Sequence, residues 1–344
     1  MAAGRRVDSR GPARGRPRTA RHLRRPTLEP TATSPSRRAI LALGAGTALA
    51  ATLTASGAAA ATVPVTKTVT TPRGSAVTGR LRALERRYAA RLGVYAHDLG
   101  TGRTVRHRAG ERFPVCSVFK GIAVAAVLRD LDRDGTYLAR RLRYTQDDVD
   151  KAGHAPVTGL PENVAGGLTV AELCAAAVSE SDNAAANVLL RELGGPTAVT
   201  RFCRSIGDDI TRLDRWEPEL NSAEPWRRTD VTTPHAAGLT YARLVVGKAL
   251  ARDDRDLLTG WLVANSTNKA RFRAGLPADW VLADKTGGGS DYGVANDVGV
   301  VRPPGRAPIV LSVLSTTYAP EGPSQNQLVA DAARVVAEHL VPGA

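Results

Sequence analysis

The sequence predicts an α+β protein: an antiparallel sheet flanked by terminal helices, joined to an all-helical lobe, with the active site in the cleft between them. Three observations predict it. Strand-like segments lie near both ends of the folded region, helical periodicity fills the middle, and an amphipathic helix closes the chain. With 344 residues, 43% of them hydrophobic, the chain is long enough to bury a large core.

Residues 1–61 stand apart. Up to residue 35 they are rich in Arg, Pro, Thr and Ala without apolar periodicity, the composition of a disordered arm. The twin arginine Arg37-Arg38 then leads into a weakly apolar run from Ala42 to Ala61. That order matches a twin-arginine (Tat) export signal, with Ala58 and Ala60 as an A-x-A cleavage site. An uncleaved membrane anchor is the alternative; Leu is too sparse for a convincing span. These features predict a protein secreted or otherwise placed outside the cytoplasm, with no stable membrane anchor after cleavage. Residues 62–77 read as a linker and residues 78–344 as the catalytic domain.

From Val77, Leu81, Leu84, Tyr88 and Leu92 recur at three- and four-residue steps, a helix. Leu92–Leu99 alternates as a strand and ends in the turn Gly100-Thr101-Gly102. Helical runs follow at Ile122–Leu131, Val170–Val178, Ala184–Leu193, Thr197–Ile206 and Ala236–Leu250. Trp280–Ala283, Asp291–Val301 and Ile309–Thr317 read as strands, and Gln327–Leu340 as the closing helix. The expected division is an α/β lobe of residues 78–113 and 259–344 and a helical lobe of residues 114–258.

The net charge of +14 suggests nucleic acid, but eleven arginines against two acids in residues 1–61 supply +9 of it. The remaining +5 is an ordinary surface without a basic stripe, so no nucleic-acid partner is expected. The three cysteines, Cys116, Cys174 and Cys203, lack metal-site spacing, and the six histidines are scattered, so neither metal nor cofactor is expected. The cysteines read as buried thiols, although one disulfide is possible in principle. Only six of the 47 basic residues are lysines. A lysine can give up its proton where an arginine cannot, so Lys120 and Lys285 stand out.

Both lie in short motifs. In Ser117-Val118-Phe119-Lys120 a helix would return Lys120 to nearly the face of Ser117, within touch of its hydroxyl. Alone, the pattern is an unremarkable helix start. Ser181-Asp182-Asn183 between two helical runs is, alone, an N-cap for a helix beginning at Ala184. Lys285-Thr286-Gly287 sits in a strand-like stretch, where the glycine lets a ligand approach the edge; alone, it is a turn. All three in this order are far less easily accidental. A fourth feature is Arg215-Trp216-Glu217-Pro218-Glu219-Leu220-Asn221, followed by a polar stretch to Pro234. Glu217 and Asn221, four apart, could hold one water between carboxylate and amide. Glu-Pro is also one of the few bonds that adopt the cis form.

Over residues 80–342 these motifs resemble the class A serine β-lactamases, within the wider penicillin-binding superfamily. The resemblance implies hydrolysis of the β-lactam amide bond through a Ser117 acyl-enzyme, which would confer β-lactam resistance, by a monomer that needs no cofactor. It assigns Ser117 as nucleophile, with either Lys120 or Glu217 as the base of acylation. It assigns the Ser117 and Gly288 N–H groups to the oxyanion hole and Ser181 to proton relay toward the ring nitrogen. Asn183 would bind the substrate's amide side chain, and Lys285 and Thr286 its carboxylate. Glu217 with Asn221 would activate the deacylating water, and Arg215 with Asp230 would tie the loop ends. Many relatives place a carboxylate-binding arginine where this chain has Ala295; others supply it from an earlier segment, where Arg271 matches.

Departures from the pattern are local. His154 stands near the usual aromatic gatekeeper and reads equally as a solvated loop residue. Cys174 faces a Val124 position, and Cys116 has no cysteine near Gly289, so neither disulfide known among relatives is available. The competing readings are a D-alanyl-D-alanine peptidase, which has no use for the Glu217 water, and a non-catalytic penicillin-sensing module.

Overall fold

The computed structural model describes residues 73–289 and 291–343. They fall within one compact unit spanning Lys67–Ala344. The proposed export signal at residues 1–61 lies outside the described residues.

The first helix, α1 (Arg73–Tyr88), begins four residues before Val77, inside the stretch read as linker, and buries Val77 and Leu81. Strand β1 (Arg91–Asp98) and the short β2 (Thr104–His107) form a hairpin. A two-residue strand β3 (Phe113–Pro114) leads to a tight helical turn, Cys116–Val118, and to α2 (Phe119–Ala126). Every residue of α2 is buried, as expected of a helix that is apolar on all sides but for Lys120. A π-helical turn, Val127–Leu131, completes the run that periodicity alone read as one helix.

The helical lobe continues through β4 (Arg141–Leu142), α3 (Gln146–Ala152), α4 (Pro161–Gly166), β5 (Leu168–Thr169), α5 (Val170–Ser179), α6 (Asn183–Glu192) and α7 (Thr197–Ser205). Local chemistry sets the starts. Thr145 with Asp148 and Thr169 with Glu172 form reciprocal capping boxes, and Asp182 caps α6 by accepting from Ala185 N–H. After the loop that carries Glu217 come β6 (Val231–Thr232), α8 (Pro234–Val245), α9 (Arg252–Val263) and the one-turn α10 (Phe272–Gly275). The chain closes with β7 (Val281–Gly288), β8 (Ala295–Arg302), β9 (Ile309–Thr316) and α11 (Asn326–Leu340).

The main sheet has the order β2-β1-β9-β8-β7 and is antiparallel throughout, pairing the early strand with the late ones as expected. Terminal helices α1 and α11 cover one face; α8 packs against β1, β8 and β9, and α9 against β7. Helix α8, expected in the helical lobe, and α9, which crosses the expected lobe boundary at residue 258, therefore roof the sheet. Strand β8 starts at Ala295 rather than Asp291, because Tyr292 and Gly293 adopt left-handed φ of 52° and 55° and turn the chain first. Two large apolar cores form among the described residues. One surrounds α2; the other lies between the sheet and α1 with α11.

Candidate active site

The sequence motifs converge where the helical lobe meets β7. Ser117, Ser181, Asn183, Thr286, Gly288 and Arg271 line a narrow cleft of about 230 Å³, whose rim includes His154 and Asn221. A wider outer space of about 700 Å³ shares His154, Asn183, Asn221 and Gly288.

The turn that carries Ser117 is clamped from several sides. Tyr241 on α8 donates its hydroxyl to the Val118 carbonyl at 2.7 Å, and Asn296 on β8 donates to the Pro114 carbonyl at 2.9 Å. Cys116, just before the serine, holds a strained φ of 42°. Gly287 is needed for a reason other than ligand access: a Cβ there would lie 3.1 Å from the Val115 carbonyl and 3.2 Å from Val118 N. The missing side chain lets β7 press directly on the turn that carries Ser117.

Ser117 and Lys120 are joined through a third group. The Ser117 hydroxyl donates to Glu217 Oε1 at 3.3 Å, and Lys120 Nζ reaches the same oxygen at 3.2 Å. The expected direct touch between Lys120 and Ser117 is replaced by this shared carboxylate. Lys120 also donates to Ser181 O at 2.6 Å and Asn183 Oδ1 at 2.5 Å. Burial lowers its pKa, while the Glu217 carboxylate works in the opposite direction. Ser181, at a left-handed φ of 58°, turns its hydroxyl between two amines: Lys285 Nζ at 3.0 Å and Lys120 Nζ at 3.5 Å.

Glu217 is held from three directions. Asn221 Nδ2 donates to Oε2, and Asn187 grips the backbone, accepting from Glu217 N–H at 3.0 Å and donating to its carbonyl at 2.9 Å. The Glu217-Pro218 bond is cis. Asn221 Oδ1 is buried and receives no protein donor, so it remains an acceptor beside the carboxylate. The loop ends are tied by Arg215 Nε to Asp230 Oδ2 at 2.7 Å, while Asp230 Oδ1 accepts the N–H groups of Asp214 and Arg215. A Cβ on Gly289 would lie 2.7 Å from the Asn221 carbonyl, so the strand's end and this loop are in close contact.

Opposite the loop, cations gather. Burial, with the positive charges of Lys120 and Arg271, brings the Lys285 pKa down to about 7. Arg271 donates from Nη1 to the carbonyls of Gly287 and Asn296, each at 2.7 Å, and from Nε to Asn326 at 2.7 Å. This places its guanidinium against Gly288. The Thr286 hydroxyl meets that of Thr267. His154 stands at the cleft rim, its Nε2 3.2 Å from the Glu180 carbonyl. Cys116, Cys174 and Cys203 are buried free thiols. Among the described residues, no group of three or more His, Cys, Asp or Glu is placed to hold a metal ion.

Asn187 and Thr267 escaped the reading of the sequence. Asn187 did leave a signal: it lies four residues after Asn183, the second amide in an otherwise apolar helical run. Thr267 left none, since its partner is nineteen residues away.

A serine, an amine and a carboxylate meeting in a cleft between a helical lobe and an antiparallel sheet define a family. The chain belongs to the β-lactamase enzyme family, whose model matches residues 76–340. It is 64% identical over 310 residues to a β-lactamase of Kitasatospora aureofaciens, covering 90% of this chain and 99% of that protein. It is 62% identical over 313 residues to one of Streptomyces fradiae, covering 91% and 99%. The solved β-lactamase from Streptomyces albus G superposes with a TM-score of 0.76 at 62% identity, over 76% of this chain and 98% of that one.

Proposed function

We propose that the protein is a class A serine β-lactamase that hydrolyses β-lactam antibiotics through a Ser117 acyl-enzyme. One observation carries this reading. Glu217 contacts the Ser117 hydroxyl and Lys120 with one carboxylate oxygen and Asn221 with the other, and an unpartnered Asn221 Oδ1 lies beside it.

In acylation, Ser117 Oγ attacks the lactam carbonyl while its proton passes to the Glu217–Lys120 pair. Either group serves as base, since both meet at Oε1. The N–H groups of Ser117 and Gly288 receive the developing oxyanion, an effect worth about 3 kcal/mol per donor. The proton that the ring nitrogen needs as its bond to the carbonyl breaks comes from Ser181, whose hydroxyl is recharged by the two lysines that flank it. Asn183 meets the substrate's side-chain amide; Lys285, Thr286 and Arg271 meet its carboxylate. In deacylation, a water bound between the Glu217 carboxylate and Asn221 Oδ1 loses a proton to Glu217 and attacks the ester. General-base help of this kind contributes about 10²–10⁴-fold. No step requires a cofactor.

The twin arginine at Arg37-Arg38 and the Ala58–Ala60 site support export by the Tat route and action outside the cytoplasm. Steady-state hydrolysis of nitrocefin tests the assignment. Continuous turnover is expected, whereas a burst followed by arrest would favour the D-alanyl-D-alanine peptidase reading. Absence of any covalent adduct would favour a sensing module.

A further inference from the structure

Beneath the carboxylate-binding end of the cleft lie two acids to which the catalytic reading gives no role. Asp284 on β7 and Asp297 on β8 are both completely buried. In the strand register Thr286 faces Asp297 and Asp284 faces Gly299, so the two acids are diagonal neighbours on one face of the sheet. A Cβ at Gly299 would lie 2.7 Å from that of Asp284, so the bare position gives the acid its room.

Their partners differ. Both oxygens of Asp284 are supplied with donors, by Asn268 Nδ2 at 2.8 Å and 3.1 Å and by Asn265 Nδ2 at 2.9 Å. Asp297 Oδ2 accepts only the Phe272 N–H, at 3.1 Å, and Oδ1 receives no N–H or O–H donor. The two carboxyl groups lie within hydrogen-bonding reach of each other, and such a contact requires a proton on one of them. The fully supplied oxygens of Asp284 suit the ionised member, and the undersupplied Oδ1 of Asp297 suits the member that carries the proton.

We propose that Asp284 and Asp297 hold one proton between them and act as a singly charged positioning unit. This unit seats the 265–272 segment and thereby sets where Thr267 and Arg271 meet the substrate carboxylate. The segment is fastened to the pair through Asn265, Asn268 and Phe272. Asn265 in turn accepts from the Thr267 hydroxyl at 2.6 Å, and Asn268 O accepts from Arg271 N–H at 2.9 Å. Thr267 meets Thr286 and Arg271 reaches Gly287 O, so each attachment ends in the cleft.

Charge supports the same count. Burial raises both acids, Asp297 much further because the Asp284 charge faces it. The other ionisable groups whose charge acts on the pair, or is acted on by it, are Lys285 on β7, Arg271 on the segment and Tyr241 on α8. Two negative charges would hold Lys285 more firmly as a cation, and none would leave two buried cations without an offset.

The role in binding rests on the carboxylate-subsite reading of the preceding section; the shared proton does not. Infrared difference spectra of wild type against Asp297→Asn test the proton without substrate. Wild type should show a neutral-acid carbonyl band, stable across the neutral pH range, that the variant lacks. Kinetically, Asp297→Asn keeps that side chain neutral and should raise KM by clearly less than Asp284→Asn does. Asp284→Asn turns an amide toward the Asn265 and Asn268 donors and should raise KM by about tenfold or more, with a smaller change in kcat. If Asp284→Asn does not fold, Asn268→Ala should reproduce the KM effect in weaker form. Absence of the band, or equal losses in Asp297→Asn and Asp284→Asn, overturns the proposal. An enzyme that shows the band but hydrolyses no β-lactam would instead refute the functional reading.

Discussion

The two walls of the cleft are built on opposite plans. The wall from the 214–230 loop presents one carboxylate, Glu217, held by the side-chain amides Asn187 and Asn221 and tied at its base by Arg215 and Asp230. The opposite wall presents cations, Lys285 from β7 and Arg271 reaching the strand from the 265–272 segment, backed by buried acids. A loop can turn back through left-handed residues such as Ala223 and Asp230 and so aim an acid at the serine; a strand cannot. A strand fixes spacing over several residues, which suits recognition of a carboxylate. The loop wall should therefore govern turnover, and the strand wall binding.

The most severe way to break this division is Glu217→Ala. Steady-state turnover should fall by about 10²–10⁴-fold while the first substrate equivalent still reacts. A comparable rise in KM without that loss would reverse the assignment. Next is Arg271→Ala on the opposite wall. Removing a charged hydrogen-bonding group should cost about 1.5–3 kcal/mol, read as a 10- to 150-fold rise in KM with kcat nearly retained. An unchanged specificity constant would take Arg271 out of the site.

A pH profile sharpens the same comparison. With its pKa brought down to about 7, Lys285 is a cation below that value and neutral above it. Since carboxylate binding needs the cation, kcat/KM should decline as pH rises through about 7. A bound carboxylate favours the ammonium, so kcat should hold to higher pH. Lys285→Arg keeps the charge at every accessible pH and should move the limb upward; an unmoved limb would assign it to another group. The smallest expected effect is at the loop's base. Asp230→Ala strips two backbone N–H groups and Arg215 of their acceptor, which should cost about 1–3 kcal/mol of stability by denaturant unfolding. Its kinetic loss should fall on kcat more than on KM, and the opposite split would show that the two walls are not independent.

What was legible in the sequence was local. Ser117 with Lys120, Ser181 with Asn183, and Lys285 with Thr286 are each within three residues of one another, so a single turn or strand carries both members to the cleft. Glu217 and Asn221 lie four apart and were equally readable. Arg271 became visible only through family resemblance, because nothing near it in sequence indicates that it reaches Gly287. Asp284 and Asp297 are thirteen residues apart on neighbouring strands, and only the register brings them together. The fold followed the same rule. Long periodic helices were plain, while β2, four residues with every second side chain buried, offered too little pattern. Helix α9 was missed for another reason: its first turn carries Asp253 and Asp254, and only Leu258 and Leu262 are buried.

One measurement bears most directly on the idea that a carboxylate readies water to free the serine. Intact-mass spectrometry of Glu217→Ala, taken seconds to minutes after mixing with a penicillin, should show one penicilloyl group on Ser117 that persists. A variant that turns substrate over quickly with no adduct mass at any time would contradict it.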